Sequence, residues 1–419
     1  MTAAENILNR LCDLQGTNFE VTDCQVKESE IIWRIEHKKP ALYFCSRCGG
    51  KLEGCHSTDW ITLWDVPLGS KQCKWQVKRA RILCPCSLSV RVERLEFRSR
   101  HHFLTQRFVN YIEQVLCSKM FTVADVARLF HLDYGTVYKI DHEVLRRLVQ
   151  ELQIPDPIHI SVDEKSFKKG HSYVTVVTDC DLRKLIWVSE GNSKASLDVF
   201  FLILGPERCE KIKTVSKDLH IAYSVSCQEY IPQALEVADP FHVVQALNRA
   251  IDESRQELAL GSKLRVGKRK FISNLQWVLR YKQNNMKAGH LESLESLARV
   301  NEPLYRGYLH KECFYDFFNF RPSEINQAEQ FLITWCVDAF KLGLQGLTEF
   351  AEYIVRHTKT LLNIVITGRS SAISEGINSK ISVIKKMAYG YRNINYFMLK
   401  IMQRCGVLGS LWRPGSGSL

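Results

Sequence analysis

The chain has 419 residues, 45% hydrophobic and 24% charged, with a formal net charge of +12. This excludes a disordered chain, leaves room for two to four domains with real cores, and favours a polyanionic partner, nucleic acid first. Fifteen cysteines, an odd number, with no signal-peptide pattern or apolar run of membrane-spanning length, point to reduced thiols in a cytosol, some metal-bound and the rest buried.

The segment 1–92 reads as a zinc-ribbon DNA-binding domain. Cys45-Ser46-Arg47-Cys48 is followed directly by Gly49 and Gly50, and Cys84-Pro85-Cys86 comes later. Two cysteine pairs on separate loops can close a tetrahedral thiolate site around a structural zinc ion. The run Lys74–Leu83 reads as the strand that delivers Cys84. One intervening residue makes the second pair tighter than usual, so Cys55, His56 and Cys73 stay open as substitutes. Arg79 and Arg81, with Arg91, Arg94, Arg98 and Arg100, are interleaved with Trp60, Trp64 and Trp75. Such cations can track a phosphate backbone, and a solvated charged face competes with that reading.

Residues 93–152 carry a helix-turn-helix pattern. Thr122 is a natural N-cap. Val126, Phe130, Leu132, Val137 and Ile140 supply the apolar positions of two helices across a short turn, and Ala127 is small where they would cross. The second helix would enter a major groove, with Tyr134, Thr136, Tyr138 and Lys139 facing DNA. His131 stands where the turn often has glycine. A plain helical hairpin in a core is the competing reading.

From Pro155 the texture turns to short β runs, and 153–242 reads as the first part of a catalytic core. Asp163 ends the run Ile158–Asp163, and Tyr173–Thr178 and Leu185–Val188 complete an antiparallel meander. An apolar helix at Ser196–Leu204 precedes the run ending at Asp218. A short helix and Leu235–Asp239 follow. Three strands, helix, strand, helix, strand is the order of a ribonuclease H-like fold, in which the first and fourth strands are neighbours, so Asp163 and Asp218 should meet. Residues 243–365 read as an all-α insertion with basic clusters at Lys263, Arg265, Lys268, Arg269 and Lys270.

The segment 366–413 holds the last helix of the core. Ile373, Ile377, Ile381 and Ile384 repeat at helical spacing, Glu375 lies off that stripe, and Asn378 shares the Glu375 face. Gly376 costs the helix roughly 1 kcal/mol against alanine, which a close approach of substrate or metal would explain. Lys385, Lys386 and Arg392 suit a DNA backbone. The tail 414–419 reads as a linker or tag remnant. Three acids, Asp163, Asp218 and Glu375, could thus hold two magnesium or manganese ions that clamp the attacking and leaving oxygens of a phosphodiester. Overall the fold class is α+β multidomain: zinc ribbon, helix-turn-helix, and a ribonuclease H-like core with an all-α insertion.

In Val162-Asp163-Glu164, Ser216-Lys217-Asp218 with Tyr223 after it, Asp239-Pro240-Phe241-His242, and Glu375-Gly376-Ile377-Asn378 followed by Tyr389-Gly390, the chain resembles the ISL3 family of bacterial insertion-sequence transposases. It departs at Cys84-Pro85-Cys86, at His131 and at Ser370-Ser371. The resemblance implies metal-dependent cleavage and strand transfer at terminal inverted repeats, with Asp163, Asp218 and Glu375 as metal ligands. It also implies an accessory role for Asp239 and His242. Asp239 ends a strand as well, and is the alternative second acid. A homodimer or larger assembly on double-stranded DNA, without membrane, in a bacterial cytoplasm at the nucleoid, is the expected setting. The alternative is a zinc-ribbon, helix-turn-helix regulator, or a domesticated transposase that binds without cutting.

Overall fold

The computed structural model describes residues 3–86, 89–101, 103–118, 120–168, 172–218, 221–260, 266–368 and 372–411, with the backbone alone for 3–6, 372–374 and 410–411. Lys263, Arg265, Ser370-Ser371 and the 414–419 tail lie outside the described residues. The chain divides into two compact units, Met1–Leu152 with Leu408–Leu419, and Gln153–Val407.

The first unit opens with α1 (Ala3–Leu11) and a mostly antiparallel sheet. Its strands are β1 (Phe19–Val26), β2 (Glu30–His37), β5 (Ser57–Leu68), β6 (Lys71–Cys84) and β7 (Ser89–Val92), in the order β1-β2-β6-β5 with β7 also on β6. Strand period two decides the packing. Cys73, Trp75 and Val77 point into the core with Trp33, Ile35 and Leu63. A two-residue turn at Gly69-Ser70, with Gly69 at φ +61, closes the β5–β6 hairpin. A small ladder, β3 (Tyr43–Phe44) with β4 (Lys51–Leu52), carries the first cysteine pair.

Three helices complete this unit: α2 (Gln106–Cys117), α3 (Val123–Leu129) and α4 (Tyr134–Gln150). Asp65, 1% exposed, accepts from Thr105 Oγ1 and Arg107 Nε, both at 2.7 Å, and so joins α2 to β5. Thr122 and Asp125 form a reciprocal capping box, and Asp133 caps α4. Val126, Ala127, Phe130, Val137 and Ile140 are buried between these helices. Between α3 and α4, His131 takes the left-handed conformation at φ +53.

The second unit holds a five-stranded sheet of β8 (His159–Lys168), β9 (Ser172–Asp179), β10 (Lys184–Glu190), β11 (Thr214–Lys217) and β12 (Leu235–Ala238), in the order β10-β9-β8-β11-β12. The β8, β9 and β10 pairings are antiparallel, whereas β8, β11 and β12 run parallel. Helices α5 (Lys194–Leu204), α6 (Pro206–Cys209) and α7 (Ile221–Tyr230) supply Leu197, Phe200, Phe201, Tyr223 and Cys227 to a core with Ile160, Val162 and Val215.

The helical part follows: α8 (Pro240–Leu260), α9 (Val266–Asn274), α10 (Ala288–Val300), α11 (Glu302–Phe314), α12 (Ile325–Leu342) and α13 (Gln345–Thr367). It has its own core, built around Leu247, Ile251, Tyr308, Phe314, Phe317, Trp335 and Phe350. Gly346 lets α13 lie against α8, since a Cβ there would stand 2.1 Å from the Ala250 carbonyl oxygen. The chain then returns through α14 (Ala372–Met387) and α15 (Ile394–Cys405), and a short α16 (Leu408–Leu411) belongs to the first unit. Among the described residues no helix is long and apolar enough to cross a membrane.

One sequence expectation is corrected. Asp163 does not end its strand: β8 runs on to Lys168 because β9 keeps pairing with it after β11 has stopped at Lys217. The helices α8 to α13 span Pro240 to Thr367, where an Asp-Pro step opens α8 and Gly368, at φ +59, closes α13.

Candidate active site

Register brings the acids together. In the parallel ladders, Lys217 pairs with Val162 on one side and with Ala238 on the other. The next residue after each pairing is therefore Asp163, Asp218 and Asp239, one row of three aspartates across neighbouring strands. Adjacent strands are spaced about 4.8 Å apart, so each carboxylate starts within reach of its neighbour. The Asp239 N–H continues the row with a 3.1 Å bond to the Lys217 carbonyl.

Asp239 also starts α8. Its Oδ1 accepts from the Phe241 N–H at 2.9 Å, and Pro240 supplies a φ already suited to a first helical turn. One turn in, His242 faces back over the row, with Nε2 3.6 Å from Asp163 Oδ1 and Nδ1 3.7 Å from Asp218 Oδ2. The sequence motif Asp-Pro-Phe-His is thus a cap, a helix start and an imidazole aimed at two acids.

Asp163 and Asp239 are buried, whereas the Asp218 side chain is 46% exposed. Burial acts to raise the Asp163 pKa, but His242, Lys165 and Asn378 outweigh it and hold the carboxyl below its ordinary range. Burial pushes Asp239 up, and the neighbouring Asp163 and Asp218 charges add to the push. His242 is disfavoured as a cation by burial, yet Asp163, Asp218 and Asp239 together raise it above the usual imidazole value. A cluster of carboxylates that repel one another in a half-buried cleft is the hard-oxygen environment that a divalent cation relieves.

Helix α14 meets this row through Asn378, whose Nδ2 donates to Asp163 Oδ2 at 2.5 Å. Ile377, Ile381 and Ile384 are buried, as their spacing predicts. Glu375 is exposed one turn before Asn378, on the face that touches Asp163. The Asn378 Oδ1 is buried without a hydrogen-bond partner among the described residues. Lys385 Nζ is tied to the Ser166 carbonyl at 3.0 Å, while Lys386 and Arg392 are exposed.

Two lysines were not singled out in the sequence. Lys165 Nζ lies 3.3 Å from Asp163 Oδ2. Lys217, wholly buried, reaches Ser224 Oγ and Glu236 Oε2 at 2.5 and 2.9 Å. Strand alternation is the signal for Lys217, since it must face away from its neighbour Asp218.

In the first unit, the sulfur atoms of Cys45, Cys48, Cys84 and Cys86 lie within 4.8 Å of one another. The Cys45–Cys86 and Cys48–Cys84 separations are 3.8 and 3.6 Å. A zinc–sulfur bond near 2.3 Å in a tetrahedron gives sulfur separations of roughly 3.8 Å, so the set fits zinc. The N–H groups of Cys48 and Arg47 pull the Cys45 thiol down to about 6. At Cys84 the Cys86 N–H acts to lower the thiol, but the surrounding sulfurs and burial push it up to about 12. Cys73 is buried in the sheet core, away from this set.

On α4, Tyr134 is 54% exposed and stacks on Tyr138, which stacks on His142. Lys139 is exposed and Thr136 half-buried. Arg79 is engaged by Asp59 at 3.0 and 2.6 Å, and Arg81 touches the same carboxylate at 3.3 Å.

An acidic row of this kind on a mixed sheet, with a basic helix laid against it, defines a class of phosphodiester-processing enzymes. A family model described as a transposase, of the ISL3 group of DDE transposases, matches residues 160–401. The transposase for insertion sequence element IS1001 of Bordetella parapertussis is 33% identical over 86% of this chain and 88% of its own length. Transposases for IS1557 from two strains of Mycobacterium tuberculosis are 26% identical over 91% of this chain and 89% of theirs. The chain belongs to the ISL3 family of transposases.

Proposed function

We propose that this transposase binds the terminal inverted repeats of an insertion sequence and cuts and joins DNA strands at the Asp163–Asp218–Glu375 site. The observation that carries the reading is the aspartate row, with Asn378 of α14 hydrogen-bonded to its first member. The sheet order, with the first strand between the second and the fourth, supports a ribonuclease H-like core at 153–242 completed by 366–413, with 243–365 as an all-α insertion.

Magnesium or manganese would be held by Asp163, Asp218 and Glu375. Such ions supply charge neutralisation and an activated oxygen for in-line attack at phosphorus. The chain's own residues do the rest. Asn378 and Lys165 fix one oxygen of the Asp163 carboxylate, while the Glu164 N–H at 2.7 Å and His242 hold the other. His242 spans Asp163 and Asp218 and tempers their repulsion. Asp239 spends one oxygen on the α8 cap, which favours Asp218 as the second metal ligand and gives Asp239 and His242 accessory roles.

In the first unit, zinc on Cys45, Cys48, Cys84 and Cys86 would fix the β3–β4 ladder to the end of β6 as a ribbon within 1–92. Helices α3 and α4 within 93–152 would act as a helix-turn-helix, presenting Tyr134, Thr136, Tyr138 and Lys139 to bases and phosphates. Arg79, Arg81, Lys385, Lys386 and Arg392 would contact the backbone, Arg79, Arg81 and Lys385 more weakly because each already has a protein partner. Two ends must be held together for transfer, so a dimer or larger assembly on double-stranded DNA follows.

The test is cleavage of labelled DNA carrying the element's own terminal repeat, with magnesium or manganese. Wild type should nick at the repeat boundary, and Asp218→Asn and Glu375→Gln should bind normally without cutting. If Asp239→Asn alone among the second-acid variants is dead, Asp239 takes the place of Asp218. Wild type that binds the repeat yet never cuts, whichever divalent ion is supplied, would make the protein a regulator or a domesticated transposase.

A further inference from the structure

Trp277 is 64% exposed in the helical insertion. Large aromatic side chains contribute most when buried, so a displayed indole on a rigid mount needs a partner. The mount is rigid here. Val278 and Leu279, next in sequence, are buried in the insertion core, and a short 3-10 turn, Val278–Arg280, follows Trp277 directly. Arg280 places its guanidinium 5.0 Å from the indole centroid and is held by Asp252 at 3.3 Å. One residue on, Tyr281 is 44% exposed and stacked on His290 at 5.0 Å and 24°.

The surroundings select the partner by charge. From residue 266 to residue 291 the sequence holds six lysines and arginines and no aspartate or glutamate, and the acids that meet this segment are Asp252, at Arg280, and Glu312, at the Gln283 N–H. Lys268, Arg269, Lys270, Lys282 and Lys287 are exposed among the described residues. A protein interface would pair such a patch with acids, and a hydrophobic one would exclude it. Interleaved aromatics and cations are what a nucleic acid strand with an accessible base face requires.

The position relates the patch to the chemistry. Asp252, which holds Arg280, lies on α8 thirteen residues beyond Asp239. At 1.5 Å per residue that is about 20 Å along one continuous helix from the aspartate row, or roughly six nucleotide steps of duplex.

We propose that Trp277, backed by Arg280, is a stacking platform for an unpaired base of the DNA substrate, with Lys268, Arg269 and Lys270 holding the adjoining phosphates. This rests on the DNA-processing reading above and adds what that reading lacks: a site for DNA that has lost pairing near the cut.

The test is equilibrium binding, with no magnesium or manganese added and the zinc left in place, of the full chain to two fluorescein-labelled duplexes of common flanking sequence. One is fully paired and one carries a short central bubble of unpaired thymines. Wild type should prefer the bubble. Trp277→Ala should weaken bubble binding about tenfold, the scale of losing one stacked base, and leave the paired duplex unchanged; Trp277→Phe should restore most of it. Replacing Lys268, Arg269 and Lys270 by alanine should weaken both and flatten the salt dependence. Equal wild-type affinity for the two probes, or equal losses on both in Trp277→Ala, overturns the platform. So does a change of mass by light scattering in that variant, which would make Trp277 a contact between copies. Because the assay omits the ions needed for cutting, a failed cleavage triad leaves it readable, and a failed platform leaves the triad standing.

Discussion

At the scale of single residues, Asp163 is held at both carboxylate oxygens, by Asn378 and Lys165 at Oδ2 and by the Glu164 N–H at Oδ1. In the sequence Asp163 and Asp218 stand out because a β-rich run reaching an aspartate is a short-range pattern, and Glu375 because it heads a basic helix. That Asn378 holds one oxygen of Asp163 depends on α14 returning to β8 across some two hundred residues, which no local pattern encodes, whereas Lys165, two residues along β8, shares the Asp163 face by strand alternation. Asn378→Ala should therefore lower cleavage by about a hundredfold while leaving repeat binding intact, since a loosened carboxylate costs alignment; single-turnover cleavage beside a binding isotherm checks both halves. His310 makes a different prediction. It stacks on Trp335 at 4.2 Å, with reciprocal bonds to that residue's backbone and indole, and burial holds its pKa below the usual imidazole value. Its neutral form is the one the fold stabilises. That stability is fully present above the unfolded value near 6.5 and is lost as pH falls below it toward the depressed folded value. Thermal melts should drop more between pH 7 and pH 5 in wild type than in His310→Gln, and equal drops would remove His310 as the cause.

At the scale of elements, strands and caps were readable because they are written in adjacent residues. Thr122, read as an N-cap, caps α3, and the run read as the strand delivering Cys84 is β6. The order of elements led to the expectation that the first and fourth strands are neighbours, as β8 and β11 are; what was not readable was that β12 brings Asp239 into the same row. The parallel register that aligns Asp163, Asp218 and Asp239 is set by which strands meet, and a slip of one residue would turn each acid to the other face. The same reasoning explains why β8 outlasts β11 and why α15 ends beside β10, with the Val407 N–H bonded to the Leu185 carbonyl at 3.1 Å. The turn between α3 and α4 is the element most open to improvement. His131 sits exposed at φ +53, where an L side chain is strained and glycine is not. His131→Gly should stabilise the first unit by about 0.5–1 kcal/mol, the relief of left-handed strain less the entropy of the freer unfolded chain. Thr122→Ala should cost about 1 kcal/mol through the lost cap. Chemical denaturation of both variants decides the matter, and a destabilised glycine variant would mean that the imidazole makes a contact worth more than the strain.

At the scale of the whole molecule, two units carry separate hydrophobic cores and separate chemical centres. The cysteine set lies at the end of β6, against the small cluster of Cys45, Ala80, Ile82 and Cys84, where little apolar area is available to hold the β3–β4 ladder in place. A small cluster of that kind is where a metal contributes most to folding. The aspartate row, by contrast, sits on a sheet already covered by α5 and α7 and needs no metal to form. Zinc removal and magnesium removal should therefore have opposite signatures. A chelator strong enough to strip zinc should lower the melting transition of the first unit by several degrees, abolish specific binding to the repeat, and leave the second unit's transition where it was. Mild removal of magnesium should stop cleavage with no change in either transition. Calorimetry of the full chain before and after each treatment, with bound metal counted by mass spectrometry, reads both. A zinc-stripped chain that melts and binds as before would show that the four thiols are merely neighbours. A magnesium-free chain that loses folded structure would mean that the carboxylate row is held together by its ions rather than by its strands.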